Sequence, residues 1–313
     1  MIYPIEDILS ILVDNIVRYG SPFRIDHRRL NRWAYENNLK TGGDTVLYTG
    51  LLYQLTPYIE ASTRYLAKMG SKTGTIARLA SKLIDLTKLL RVDEKTVNYI
   101  NEVLDNIAKM VKKTYRDIGY LYDKEPYSGV LLYDLGMIQL FEKHANKVMD
   151  TFRENGVKKV VTIDPHTTHI IRDIYPKYVD GYDLEVINYL NLTNLDDLEP
   201  SLESGDEYVI HDPCIYARIV GIIDKPRELL EKKGAKILEP EYSRQMTYCC
   251  GGPIESIYPE LSSEIARKRL RQLASKSYKI VTLCPICYIN LSRAAVDEGL
   301  ENVEIRDLAS ILR

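Results

Sequence analysis

All five cysteines of this 313-residue chain fall between positions 214 and 287: Cys214, the adjacent pair Cys249 and Cys250, and the run Cys284-Pro285-Ile286-Cys287. Thiols kept only for packing would be scattered, so this crowding requires a fold that carries three separate loops to one place for a chemical reason. An odd thiol count argues against a disulfide framework and for metal or redox chemistry in a reducing compartment.

Thiolates are soft donors that suit iron–sulfur clusters or zinc, and C-x-x-C spacing lets two sulfurs grip one centre without backbone strain. Gly251 and Gly252, directly after the cysteine pair, let the backbone approach such a centre closely. Five thiols is one more than zinc or a cubane 4Fe–4S cluster requires.

The rest of the chain supplies a frame on which such convergence is expected. Ile5, Ile8, Leu9, Leu12 and Ile16 mark one face of an opening helix; Gly20-Ser21-Pro22-Phe23 breaks it, and the polar, basic stretch around Trp33 reads as a surface arm or linker. Thr45-Val46-Leu47-Tyr48, Lys158 to Ile163, Tyr208-Val209-Ile210, Ala235 to Leu238 and Lys279 to Leu283 read as strands. Helices are expected over the stripe from Ile138 to Phe152, near Lys225 to Lys233 and near Leu261 to Ser275. Alternating β and α implies parallel sheets covered by helices. Two further helical stripes between 75 and 116, Ile76 to Leu90 and Val97 to Val111, interrupt that rhythm as an insertion, more core than docking face.

The two halves read as one repeat written twice. Tyr48-Thr49-Gly50-Leu51 matches His211-Asp212-Pro213-Cys214, Asp134-Leu135-Gly136 matches Cys249-Cys250-Gly251, and Val161 to Thr167 matches Val281 to Cys287. Leu51, Asp134, Leu135, Asp164 and Thr167 then stand where the second half has its thiols. The expected fold is α/β, with two pseudo-repeated Rossmann-like parallel-sheet units carrying helices on both faces, a helical insertion and an N-terminal helical arm. The expected division is 1–43 helix and arm, 44–200 cysteine-less unit with the insertion at 75–116, and 201–313 the cysteine-bearing unit. Ligands of open α/β sheets bind beyond the carboxyl ends of strands, and Cys214, Cys284 and Cys287 each follow a predicted strand.

Composition removes other classes. A net charge of −2 with no basic block gives no footprint for nucleic acid. No apolar run approaches the roughly 18 residues of a membrane span and no signal-like segment opens the chain, so a cytoplasmic protein without membrane insertion is expected. There is no G-x-G-x-x-G, Walker loop or H-E-x-x-H, so a flavin, if used, belongs to a partner.

His211-Asp212-Pro213-Cys214, Cys249-Cys250-Gly251-Gly252 and Cys284-Pro285-Ile286-Cys287 closely resemble the cysteine-rich CCG domain of the B-type subunit of heterodisulfide reductase and its relatives, which include iron–sulfur subunits of glycolate, lactate and anaerobic glycerol-3-phosphate dehydrogenases. Gly20-Ser21-Pro22-Phe23 and Asn31-Arg32-Trp33 resemble the segment preceding the first such domain. The resemblance implies an iron–sulfur subunit in which Cys214, Cys249, Cys250, Cys284 and Cys287 hold one noncubane 4Fe–4S cluster, with His211, Gly251 and Gly252 around it. It also implies a ferredoxin-like iron–sulfur subunit and a flavoprotein as partners, with a thiol, disulfide or lipoate-linked substrate, and the B-type subunit of heterodisulfide reductase-like complexes of sulfur oxidation fits best. The alternatives are an electron-transfer subunit of a glycolate, lactate or succinate-type dehydrogenase, and a zinc-stapled, non-redox structural subunit.

Plainer roles stand beside these. His211 either tunes the centre or simply terminates its strand. Asp164, His166 and His169 form a polar strand-to-helix turn more readily than a small metal site, Asp134 is expected to cap the helix after Gly136, and the tyrosines, Tyr248 among them, are core and interface residues.

Overall fold

The structure is a computed structural model and describes residues 5–69, 90–192, 202–252 and 254–312. Its frame is two parallel sheets. The first contains β1 (Lys40–Thr41), β2 (Thr45–Tyr48), β3 (Gly119–Tyr120), β4 (Lys159–Thr162) and β5 (Glu185–Asn188) in the order β1-β3-β2-β4-β5. The second contains β6 (Glu207–Ile210), β7 (Lys236–Ile237), β8 (Lys279–Thr282) and β9 (Glu304–Asp307) in the order β7-β6-β8-β9.

Every described strand pairing is parallel. The inner strands β2, β4, β6 and β8 bury their last three residues, the continuous apolar run of a sheet covered on both faces. Strand order makes the internal repeat explicit. The order β3-β2-β4-β5 corresponds to β7-β6-β8-β9, so β2 is equivalent to β6 and β4 to β8, as the matched motifs require.

The predicted helices form at Ile5–Tyr19, Ile138–Glu154, Asp224–Lys232 and Pro259–Ala274. Helix Ile138–Glu154 buries Phe141, Ala145, Val148 and Phe152 and stops at Asn155, with Gly156 at a φ of +70° where a left-handed residue is needed. Of the insertion, the stripe from Ile76 to Leu86 lies outside the described residues. The following stripe is helix Glu94–Thr114, N-capped by Asp93, whose carboxylate accepts from the backbone of Lys95 and Thr96. It is core: Ile100, Leu104, Ile107 and Val111 are buried.

This helix also bonds the halves together. The Asn106 side chain donates to the Ala309 carbonyl at 2.9 Å, and Tyr99 stacks on Tyr288 with ring centroids 4.6 Å apart. From helix Leu52–Met69, the Tyr53 hydroxyl donates to Asp307 at 2.7 Å, and Glu60 accepts from Arg293 at 2.6 Å. One buried apolar cluster contains Tyr53 and Leu104 of the first half with Val281 and Leu283 of the second.

Two expectations are corrected. The segment around Trp33 is not a surface arm: Trp33 is fully buried in the short helix Arg32–Glu36, its indole N–H donates to Leu30 O at 3.1 Å, and its ring meets Tyr120 edge-on at 4.9 Å. Polar neighbours hid one large apolar anchor. Asp134 does not cap the helix after Gly136, which has Met137 at its N-cap; it ends the preceding helix, Val130–Asp134. Among the described residues, no helix is long and apolar enough to cross a membrane.

Candidate metal centre

β6 ends at Ile210, and the backbone N–H of His211 extends its pairing by donating to Val281 O at 2.8 Å. Asp212 then anchors the site from beneath. Its carboxylate takes both terminal nitrogens of Arg227 at 2.8 and 2.9 Å, while Arg227 also grips Glu239 at 2.6 and 3.0 Å. With both partners buried and the pair bidentate, Asp212 is fixed in place. The next loop hangs on the same residue. Asp212 accepts the backbone N–H of Arg244 at 2.7 Å, its carbonyl accepts the Thr247 hydroxyl at 2.9 Å, and Arg218 donates to the carbonyls of Gln245 and Thr247. Cys249 and Cys250, just after Thr247, are thereby held against Cys214.

Cys284 arrives from the other inner strand. It follows β8 as the N-cap residue of helix Pro285–Asp297, with proline in the first turn, and Cys287 lies one turn in. Helix N-termini favour negative charge and thiolates. Cys250, Cys284 and Cys287 are buried, whereas Cys214 and Cys249 are partly exposed; all five are free.

The five thiols form one connected set. Cys214 lies beside Cys249, Cys249 beside Cys250, Cys250 beside Cys287 and Cys287 beside Cys284, each thiol perturbing the next. Three loops separated in sequence thus converge beyond the carboxyl ends of β6 and β8.

Electrostatics follow from that crowding. The Cys214 thiol holds the Cys249 thiol well below its ordinary range, helped by Cys250 and the Gly251 N–H, which donates to Cys249 Sγ at 3.3 Å. Burial would push Cys284 upward, but Cys287 and His166 outweigh it and hold it low. Cys214, Cys250 and Cys287 are driven up, in each case first by a neighbouring thiol. Thiols that can ionise only by sharing protons are a donor set a polyvalent cationic centre would discharge together.

The glycines fit such a centre as well. Gly251 has a φ of +92°, and a Cβ there would lie 2.4 Å from Ser262 O; a Cβ on Gly252 would lie 2.3 Å from Ile286 Cγ2. At Gly251 the obstacle is backbone and the φ is left-handed, so glycine is required there, whereas at Gly252 the obstacle is a side-chain methyl that can shift.

His211 is buried beside two of the thiols. A ring nitrogen of His211 and the sulfurs of Cys250 and Cys287 all lie within 4.8 Å of one another, the one candidate metal-ligand group among the described residues. Burial, reinforced by the nearby Arg269 charge, pushes His211 down to about 3, so it is neutral.

The cysteine-less half also reaches the site, which sequence reasoning missed. His166 lies beside Cys284; although burial opposes its charge, the Cys284 thiol and the surrounding acids raise it to about 9. Asp164 caps helix Pro165–His169 by accepting from Thr167 N at 2.8 Å, and His169 turns to Asp173 at 3.0 Å. The three therefore form the expected turn. A cavity of about 60 Å³ opens between the halves here, with Leu52, Ile59 and Ile286 on its walls and Asp134, His166 and Glu255 as its polar groups. Burial pushes Glu255 up to about 7, and its Oε2 has no hydrogen-bond partner. A histidine after Asp-Pro is the only trace His166 left in the sequence, because its partner lies in the other half.

Fold and site define a paired parallel-sheet α/β protein whose second unit is a cysteine-rich domain. Residues 208–292 match the CCG cysteine-rich domain, and this segment is such a domain. Over 221 residues the chain is 27% identical to the EtfAB:quinone oxidoreductase of Syntrophomonas wolfei, covering 66% of this chain and 31% of that protein. It is 28% identical over 224 residues to a Bacillus subtilis protein named probable iron-sulfur-binding oxidoreductase FadF, covering 69% of this chain and 32% of that protein. It is 29% identical over 114 residues to the D-type subunit of the dihydromethanophenazine:CoB–CoM heterodisulfide reductase of Methanosarcina acetivorans, covering 35% and 27%. The chain thus spans about a third of the length of these relatives.

Proposed function

We propose that this chain is an iron–sulfur subunit of an oxidoreductase, holding one cluster on Cys214, Cys249, Cys250, Cys284 and Cys287 and passing electrons between partner proteins. The observation that carries this reading is the convergence of all five thiols into one contiguous set in which each perturbs its neighbour. A fifth thiolate inside one contact set favours a noncubane 4Fe–4S cluster over zinc or a cubane, each of which takes four. Such a cluster supplies one-electron exchange when bound. The chain's own residues orient the thiols through Asp212 and Arg227, keep water from Cys250, Cys284 and Cys287, and leave Cys214 and Cys249 at the surface for exchange with a partner.

Relatives named as a quinone oxidoreductase and as an iron-sulfur-binding oxidoreductase favour electron relay, with a flavoprotein and a further iron–sulfur protein as partners. A second reading, redox work on a thiol, disulfide or lipoate-linked substrate in a heterodisulfide reductase-like complex of sulfur oxidation, draws on the cavity lined by His166 and Ile286 and on the heterodisulfide reductase among the relatives. It needs one cluster to suffice, because Leu51, Asp134, Leu135, Asp164 and Thr167 offer no second thiol set.

Iron, acid-labile sulfide and zinc per chain, measured on anaerobically purified protein, test the reading. About four irons with matching sulfide are expected. About one zinc without sulfide would replace it with the structural role. Cys249→Ser and Cys250→Ser should each lose or convert the visible absorption; if both leave absorption and iron unchanged, the ligand assignment fails.

A further inference from the structure

Arg269, on helix Pro259–Ala274, is fully buried. Among the described residues it makes no ion pair with a carboxylate; the nearby Asp212 is taken by Arg227. Its hydrogen bonds go to neutral acceptors: Tyr242 O at 2.8 Å, Gln272 Oε1 at 3.2 Å, Thr247 Oγ1 at 3.4 Å and, from Nε, His211 Nδ1 at 3.1 Å. A buried guanidinium with no counter-charge is strongly unfavourable. The charges that face it are the Asp212 carboxylate, already shared with Arg227, and the thiols of Cys287 and Cys250.

The bond to His211 has a second consequence. A guanidinium can only donate, so Nδ1 accepts and the proton of the neutral ring sits on Nε2. Nε2 is buried and without a protein partner, in a residue with a ring nitrogen within 4.8 Å of the Cys250 and Cys287 sulfurs.

We propose that Arg269 is a positioning residue of the metal centre: it locks His211 as the Nε2–H tautomer, making it a hydrogen-bond donor to the sulfur of the centre and not a ligand, and it provides the fixed positive charge facing the thiolates. This rests on the cluster reading above. Hydrogen bonds to sulfur and a nearby positive charge both stabilise the more electron-rich state, so both raise the reduction potential.

The test is a redox titration of the anaerobically loaded protein and its His211→Leu, His211→Gln and Arg269→Met variants, with pulsed electron paramagnetic resonance on 15N-histidine protein. His211→Leu and Arg269→Met should keep iron and sulfide and shift the midpoint potential downward. His211→Gln, which retains an N–H donor, should restore most of the shift, and the histidine nitrogen should couple only weakly. Should Arg269→Met fail to fold, Arg269→Lys keeps the charge without the fork and should fall between wild type and His211→Leu. A strongly coupled histidine nitrogen would make His211 a ligand and overturn the proposal, as would unmoved potentials in protein that carries iron. Wild-type protein with zinc and no labile sulfide would overturn the cluster reading and this one together.

Discussion

Asp164 and Cys284 occupy the same place in the two halves: each is the N-cap residue of a helix with proline in its first turn, directly beyond an inner strand of its sheet. The backbone geometry does not need a thiol there, because Asp164 caps its helix through Thr167 N. Cys284→Asp should therefore preserve helicity and shift the melting temperature little, while emptying the centre of iron. A variant that keeps its full iron and sulfide content would show that Cys284 is not a ligand.

Tyr53 and Asp307 tie the two halves together. The Tyr53 hydroxyl is the donor to Asp307 Oδ2, and the other oxygen caps helix Leu308–Ile311 by accepting from Ala309 N at 2.9 Å. Burial pushes Asp307 up to about 6. Tyr53→Phe leaves a buried carboxyl oxygen without its donor, at a cost of about 1–3 kcal/mol. Thermal unfolding should start earlier in the variant, with iron and sulfide unchanged. An unaltered melting curve would mean that this bond contributes nothing to holding the halves.

Glu125 gives the first half a pH dependence of its own. It is fully buried, accepts from Thr49 N at 2.6 Å and Thr49 Oγ1 at 2.9 Å, and bonds the Tyr120 phenol. Burial wins over these bonds and raises it to about 7 from an ordinary 4.5. A carboxyl whose pKa is higher folded than unfolded adds stability that is complete below pH 4.5 and disappears as pH rises through about 7. Glu125→Gln can keep the same bonds without titrating. The fall in denaturation midpoint between pH 5.5 and pH 8 should therefore be smaller in the variant than in the wild type, and equal slopes would contradict the assignment.

Much of this architecture was legible because its signals are local. The inner strands announced themselves as short β-branched and aromatic runs, and the thiol motifs fixed the equivalence of β2 with β6 and of β4 with β8 that the strand order bears out. Other strands were not visible. Lys40–Thr41, Gly119–Tyr120 and Glu304–Asp307 are short or charged, and they pair because a neighbouring strand presents free backbone groups. The supports of the centre were hidden for a related reason. Arg227 and Arg269 look like ordinary solvent-facing residues of charged helices, and only the tertiary fold turns them inward. His166 reads as part of a turn until the halves are packed and Cys284 meets it.

Gly251 and Gly252 test how tightly the backbone must pass the thiols. At Gly251 an added Cβ meets a backbone carbonyl, Ser262 O, at 2.4 Å, and the φ of +92° is strained for any L side chain. Neither problem is relieved by a rotamer change, so Gly251→Ala should cost well over about 1 kcal/mol and displace the Cys249–Cys250 turn. At Gly252 the obstacles are side-chain atoms, Ile286 Cγ2 at 2.3 Å and Asn290 Nδ2 at 3.0 Å, in a backbone conformation that alanine tolerates. Overpacking of that kind costs about 1–3 kcal/mol, and neighbouring side chains can absorb part of it. Iron per chain after anaerobic loading should therefore fall furthest in Gly251→Ala and less in Gly252→Ala. Adding Ile286→Val to Gly252→Ala removes a methyl group from that side chain and should recover part of the loss. Equal iron in both alanine variants and the wild type would show that the turn is free to move and that the close approach at Ser262 does not position Cys249 and Cys250.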